Sequence, residues 1–121
     1  MEMEDYELWI KKAEEDFDTA LYNLKGDKIE AGAFFLQQSA EKALKAIYIK
    51  KFKKLLKTHD LVLLSKNVSA PKEIIKHCEK LTIVYSETRY PDTGLEEDIK
   101  EEIENLKNSA TEILKWTKKN L

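Results

Sequence analysis

Residues that form tight turns are scarce in this chain, which has three glycines and two prolines among 121 residues. An all-β protein needs a turn about every 8 to 12 residues, and a dinucleotide-binding α/β fold needs a glycine-rich loop, so both classes are excluded. Apolar residues recur instead at spacings of three and four, the period of a helix that packs one face on a core. The sequence therefore predicts an all-α protein.

Five helical segments are predicted, four long and one short. The first covers residues 5–25, and the second begins near Lys28 and continues through a lysine-rich stretch. A short third helix follows residues 58–60, a fourth has Pro71 in its first turn, and the last carries a heptad pattern of apolar residues. This pattern predicts one domain over residues 1–121, an antiparallel up-and-down four-helix bundle with an additional short helix. The second helix has the broadest apolar face and is expected at the centre.

Charge is unevenly distributed, although the net charge is only −2. Residues 1–18 carry eight acids and two lysines, whereas residues 41–57 carry seven lysines and one glutamate. The longest apolar stretches have four residues, against roughly 18 or more for a membrane span, so no membrane association is predicted. A single cysteine, Cys78, and an acidic rather than basic start predict a cytoplasmic protein.

Self-association is expected from the same central helix. Its aromatic and apolar residues spread beyond one stripe, and the chain is too short to cover all of its sides. The residues concerned are Phe34, Phe35, Tyr48 and Ile49. They predict a twofold dimer.

Metal and cofactor chemistry finds little support in the sequence. The soft metal ligands are His59, His77 and Cys78. His77 and Cys78 are adjacent, so on a helix their side chains point about 100° apart and cannot bind the same ion. A phosphate loop, a nucleophile elbow and a zinc-protease motif are all absent. No metal and no cofactor are therefore predicted.

Two polar segments remain distinctive. In the first, Gln38, Glu41, Lys42 and Lys45 share one helical face, which indicates either paired charges on a solvated helix or a polar interface. The second combines residues 57–61 with residues 89–92, two polar clusters at helix ends. These clusters indicate either a cap and a turn or an anion site, because a helix N-terminus beside lysine and histidine attracts phosphate.

In this order, the sequences QQSAEKALKA (37–46), KTHDL (57–61) and RYPD (89–92) resemble the HEPN domain, the higher eukaryote and prokaryote nucleotide-binding domain. The resemblance extends over residues 9–116. It implies an up-and-down helical bundle that commonly forms homodimers. Many members are encoded beside, or fused to, a minimal nucleotidyltransferase and were proposed to bind its substrate. Others are ribonuclease toxins of toxin–antitoxin pairs, which the nucleotidyltransferase silences.

The ribonuclease members carry an arginine followed, after four to six residues, by a histidine. In this chain the positions at that distance from Arg89 hold Gly94, Leu95 and Glu96. RNA cleavage needs a group that titrates near neutrality beside a cation, and Arg89 supplies only the cation. The missing histidine makes binding the favoured interpretation over cleavage.

The resulting hypothesis is a noncatalytic, dimeric HEPN-type subunit that binds nucleotide or RNA phosphate as the substrate-binding partner of a minimal nucleotidyltransferase. Lysines would supply positive potential, His59 and Arg89 would bond phosphate, and Gln38 would contact a base or the partner. The predicted binding residues are Gln38, Lys42, Lys45, Lys57, His59 and Arg89. Two alternatives stay open: a metal-independent endoribonuclease toxin that uses His59 and Arg89 across a dimer, and a pure protein-interaction module with solvated lysines.

Overall fold

The computed structural model describes residues 5–87 and 95–121, with side chains described outside residues 83–98. It contains five helices and, within those ranges, no strand. The helices are α1 (Asp5–Lys25), α2 (Ile29–Phe52), α3 (Leu61–Asn67), α4 (Lys72–Glu87) and α5 (Leu95–Asn120). The predicted all-α bundle of four long helices and one short helix is confirmed.

Helix α2 lies at the centre of the bundle, because it contacts each of the other four helices. The apolar stripe predicted for it is buried throughout: Ala33, Leu36, Ala40, Ala43, Leu44 and Ile47. Helix α1 approaches α2 closely at Gly32, where an added Cβ would meet Leu24 Cγ at 2.6 Å. The predicted central position of the second helix is confirmed, and a glycine lets its neighbour approach.

The breadth of the apolar face on α2 is largely explained within the chain. Tyr48 and Ile49 are each 8% exposed, so two of the four residues from which a dimer was predicted are covered by the protein's own helices. Phe35 is half-buried, with its ring 5.3 Å from that of Phe34, and Phe34 remains exposed. A central helix with four neighbours needs more apolar surface than the sequence interpretation allowed for.

The connection between α2 and α3 returns the chain towards α2. Lys53 ends α2 in the left-handed conformation, with φ of 59°, and its N–H donates to the Ile49 carbonyl at 2.8 Å. Asp60 caps α3, because its Oδ1 accepts from the Leu63 N–H at 3.0 Å, while the Asp60 N–H donates to Thr58 Oγ1 at 3.1 Å. These bonds fix the backbone on both sides of His59.

Two further features complete the fold. Pro71 lies one residue before α4, and its carbonyl accepts from the Ile74 and Ile75 N–H groups, so it occupies the cap rather than the first turn. Within residues 5–87 and 95–121, no helix is both long enough and apolar enough to cross a membrane.

Candidate functional site

The Glu41 carboxylate is the centre of a polar cluster, here called the Glu41 cluster, that also contains Trp9, Lys45 and His59. Glu41 lies in the middle of α2 and is 3% exposed. Its Oε2 accepts from Lys45 Nζ at 3.0 Å. His59 Nδ1 lies 3.1 Å from Oε1 and 3.2 Å from Oε2. One buried carboxylate therefore joins a helix lysine to a histidine from the α2–α3 connection.

The two partners of Glu41 reach it by different routes. Lys45 follows four residues later on the same helix, which is the spacing that places side chains one above the other. His59 is separated from Glu41 by 18 residues. It reaches the Glu41 carboxylate because α2 ends at Lys53 and α3 is capped at Asp60. The histidine therefore depends on the local conformation of residues 53–60, whereas the lysine depends only on helical geometry.

The contact with Glu41 fixes the protonation of one His59 nitrogen. An ionised carboxylate only accepts hydrogen bonds, so the Nδ1 that contacts it carries the proton. Nε2 then accepts a hydrogen bond when the ring is neutral and donates one when the ring is protonated. The His59 side chain is 62% exposed, so the imidazole is held by a buried carboxylate while most of its surface faces solvent.

Lys45 is a buried member of the cluster. Its side chain is 8% exposed, and Nζ lies 5.6 Å from the centre of the Trp9 ring. Cation–π attraction and the ion pair with Glu41 together compensate for the loss of water around the ammonium group. The sequence interpretation of paired charges on this face is correct for Glu41 and Lys45, but the pair is buried and not solvated.

Lys42 and Gln38, the other predicted binding residues on α2, also have partners within the chain. Lys42 Nζ forms an ion pair with Asp16 of α1, and both side chains are partly buried. Gln38 Nε2 donates to Gln37 Oε1 at 2.8 Å. Gln37 itself is fully buried, and its Nε2 has no hydrogen-bond partner among the residues that the structure describes. Part of the polar face of α2 is thus the contact between α2 and α1.

The remaining predicted residues lie beyond α2. Lys57 is exposed two residues before His59. Arg89 and residues 90–92 lie outside the described residues, so their predicted role stays a prediction. The structure brings Lys45 and His59 together through Glu41, and it places Lys42 on the α1 side of α2, paired with Asp16.

Sequence reasoning missed Trp9 and Asp16 as members of this region and gave Glu41 no separate role. A tryptophan beside a buried lysine carries no distinct sequence pattern. The surplus of acids on α1 was visible, but which acid meets Lys42 depends on the register between α1 and α2. The Glu41–Lys45 spacing was the one signal of this cluster that the sequence contained.

Other reactive groups lie apart from this cluster or are inert. Burial raises the pKa of the Cys78 thiol from 9.0 to about 12, although a hydrogen bond with Ser65 opposes the shift. Such a thiol is not a nucleophile at neutral pH. His77 Nδ1 lies 2.9 Å from Ser109 Oγ on α5. In the part of the chain that the structure describes, no three histidine, cysteine, aspartate or glutamate residues are grouped to hold a metal ion.

Comparisons with known proteins agree on one family. The model of the HEPN domain matches residues 6–121. The crystal structure of an archaeal HEPN homologue is 32% identical in sequence, covers 96% of this chain and 97% of its own, and superposes with a TM-score of 0.73. None of the curated proteins compared with the chain matches it.

Proposed function

Because this chain belongs to the HEPN domain family, we propose that it is a noncatalytic subunit that binds the phosphate of a nucleotide or of RNA. In this proposal the chain forms a homodimer and acts as the substrate-binding partner of a minimal nucleotidyltransferase in a pair of the toxin–antitoxin kind. The phosphate contacts are His59, Lys57 and Arg89, of which the lysine and the arginine also add positive charge.

The orientation of His59 is the observation that carries the proposal. Its ring is held through Nδ1 by a buried carboxylate, is exposed to solvent, and comes just before the cap of α3. A ring oriented in advance loses little entropy when it binds a ligand, which favours a specific contact over a diffuse one. The exposed Lys57, two residues earlier, adds the positive potential that attracts phosphate.

Lys42 and Lys45 support the site in another way. Their charges are compensated by Asp16 and Glu41, so they add little net potential at the surface. Lys45 instead holds the Glu41 carboxylate that orients His59. The proposal therefore assigns direct phosphate contact to His59, Lys57 and Arg89, and assigns Lys42 and Lys45 to the framework behind them.

Calorimetric titration with nucleotides tests the proposal. We expect modest affinity that falls as salt is added, since contacts made mainly to phosphate are screened. His59→Ala should weaken binding, whereas Lys66→Ala, an exposed lysine in the last turn of α3, should leave it unchanged. Arg89→Ala should weaken binding more than Lys53→Ala, because arginine grips phosphate through two parallel bonds.

One observation also favours the ribonuclease alternative. A histidine whose Nδ1 is held by a carboxylate has the arrangement that general acid–base catalysis uses to orient an imidazole. An RNA degradation assay beside the titration separates the two functions. We expect no cleavage above a buffer control; cleavage abolished by His59→Ala or Arg89→Ala would establish the ribonuclease instead. If no nucleotide binds measurably, the remaining hypothesis is a pure protein-interaction module.

The proposed partner is tested by the neighbouring reading frame and by co-purification. A short nucleotidyltransferase with a Gly-Ser motif followed by paired aspartates, encoded beside this chain, should co-purify with it when both are expressed. Absence of such a neighbour, or failure of the two proteins to associate, would remove the partnership from the proposal while leaving the phosphate site to be judged by titration.

A further inference from the structure

A groove of about 340 Å³ lies along α1 and α2 beside the Glu41 cluster. It is lined by Leu8, Trp9, Lys12, Glu15, Asp16 and Lys42. Sites for small molecules in proteins have volumes of roughly 300 to 1,000 Å³ and apolar walls with a few polar groups, so this groove falls at the lower end of that range. Nothing in the sequence motifs assigned it a role.

We propose that this groove holds the planar base of the nucleotide whose phosphate contacts His59. The inference rests on the proposed function and adds a second subsite to it. The ligand is then a nucleotide recognised at both ends: the base against Trp9 in the groove, and the phosphate at His59 and Lys57.

Trp9 is the residue that points to a base. An indole ring that borders a groove is a stacking surface for planar aromatic groups, and every nucleobase has a face that can use it. Trp9 also contacts Lys45, whose Nζ lies 5.6 Å from the ring centre. The same ring therefore borders the groove and belongs to the Glu41 cluster, so the two sites share one side chain.

The charges around the groove suit an uncharged group. Lys12 Nζ lies 3.5 Å from Glu15, and Lys42 is paired with Asp16, so the four charged residues of the lining compensate one another. Leu8, which is 47% exposed, adds an apolar wall. A phosphate would find no surplus of positive charge here, whereas a neutral base would find an aromatic and apolar surface.

The two subsites lie close to each other. Successive contacts of 5.6, 3.0 and 3.2 Å lead from the Trp9 ring through Lys45 Nζ and Glu41 Oε2 to His59 Nδ1. The straight distance from the ring to the imidazole cannot exceed the length of this path. The proposal places the ribose of the nucleotide across this separation.

Tryptophan fluorescence and matched ligands test the inference. The chain has two tryptophans, and Trp116→Phe leaves Trp9 as the single reporter. In that background the probes are adenosine 5′-monophosphate and ribose 5-phosphate, which share the sugar phosphate and differ by the base. We expect the nucleotide to change Trp9 emission and to bind about tenfold more tightly than ribose 5-phosphate, the order of magnitude of one stacked base.

Two variants separate stacking from a structural role of Trp9. Against the wild type, with binding followed by calorimetry, Trp9→Leu should lower the affinity for the nucleotide about tenfold more than the affinity for ribose 5-phosphate, because a disturbance passed through Lys45 and Glu41 to His59 would affect both probes alike. Leu8→Glu changes an exposed residue, so folding is preserved; the added charge in the groove should weaken nucleotide binding only.

The outcomes distinguish this inference from the proposed function. Equal affinities for the two probes, or equal losses for both in Trp9→Leu and Leu8→Glu, would overturn the base subsite. If ribose 5-phosphate still binds and His59→Ala weakens it, the phosphate site stands alone. If neither probe binds the wild type, the proposed function fails and the base subsite fails with it.

Discussion

Replacing Glu41 by glutamine should destabilise the fold far more than any comparable change at the surface. Glutamine keeps the shape of the side chain but removes its charge, which leaves the Lys45 ammonium 8% exposed and without a counter-ion. Removing one partner of a buried ion pair costs about 3 to 5 kcal/mol, since the other charge stays buried and unpaired. A domain of this size has a free energy of unfolding of about 5 to 15 kcal/mol, so the variant loses a large share of its stability.

The contact between Lys45 and Trp9 survives in Glu41→Gln and offsets part of the loss. A cation–π interaction contributes about 0.5 to 2 kcal/mol, which places the net change at about 2 to 4 kcal/mol. With a urea slope of about 2 kcal/mol per molar, the unfolding midpoint should fall by about 1 to 2 M. Urea unfolding followed by circular dichroism at 222 nm measures this shift.

Two control variants isolate the effect of the unpaired buried charge. Glu112→Gln removes the charge from a glutamate whose Lys115 partner lies 4.0 Å away and is exposed, and it should change stability by less than about 1 kcal/mol. The double variant Glu41→Gln, Lys45→Met should recover most of the loss, because the unpaired charge is gone. If Glu41→Gln unfolds at the same urea concentration as Glu112→Gln, the Glu41–Lys45 ion pair does not stabilise the fold as a buried pair should.

Three further predictions concern stability. Gly32→Ala should destabilise the protein by about 1 to 2 kcal/mol despite the higher helix propensity of alanine, because the added Cβ meets Leu24. Gly26→Ala is the control in the same urea assay, since a Cβ added there lies 3.7 Å from the nearest atom. Asp60→Ala should cost about 1 kcal/mol through loss of the α3 cap, and Asp60→Asn should retain most of it, as compared by thermal unfolding. The pKa of the Cys78 thiol is about 12 in the native state, whereas the unfolded thiol ionises near 9.0. The contribution of this thiol to the free energy of unfolding is therefore fully present below pH 9 and is lost as pH rises through 12. Unfolding midpoints measured from pH 8 to 11 should therefore fall more steeply for the native sequence than for Cys78→Val.

The helices were predictable because each carries its own periodic signal. The stripe from Ala33 to Ile47 on α2 and the seam from Ile99 to Ile113 on α5 needed no knowledge of their neighbours. The partners of individual side chains were not predictable in this way. Asp16 meets Lys42 because α1 packs on α2 in a particular register, and the sequence gives the two faces without giving their alignment.

The position of His59 had even less sequence signal. It returns to Glu41 because Lys53 adopts a left-handed conformation that usually favours glycine, at a position that no local pattern marks. The cap at Asp60 was predicted from residue type and is confirmed. The sequence thus predicted the start of α3 but not that the residue before its cap would contact the middle of α2.

The lysine-rich segment therefore divides into two parts with different roles. In its first part, Lys42 and Lys45 are paired with carboxylates and belong to the packing between helices. In its last part, Lys53, Lys54 and Lys57 are exposed and lead to His59. A surplus of positive charge that is absent beside Trp9 and present near His59 would orient a ligand with one neutral and one anionic end. This difference in charge, rather than the total number of lysines, is the physical reason to expect a nucleotide to bind with its phosphate at His59.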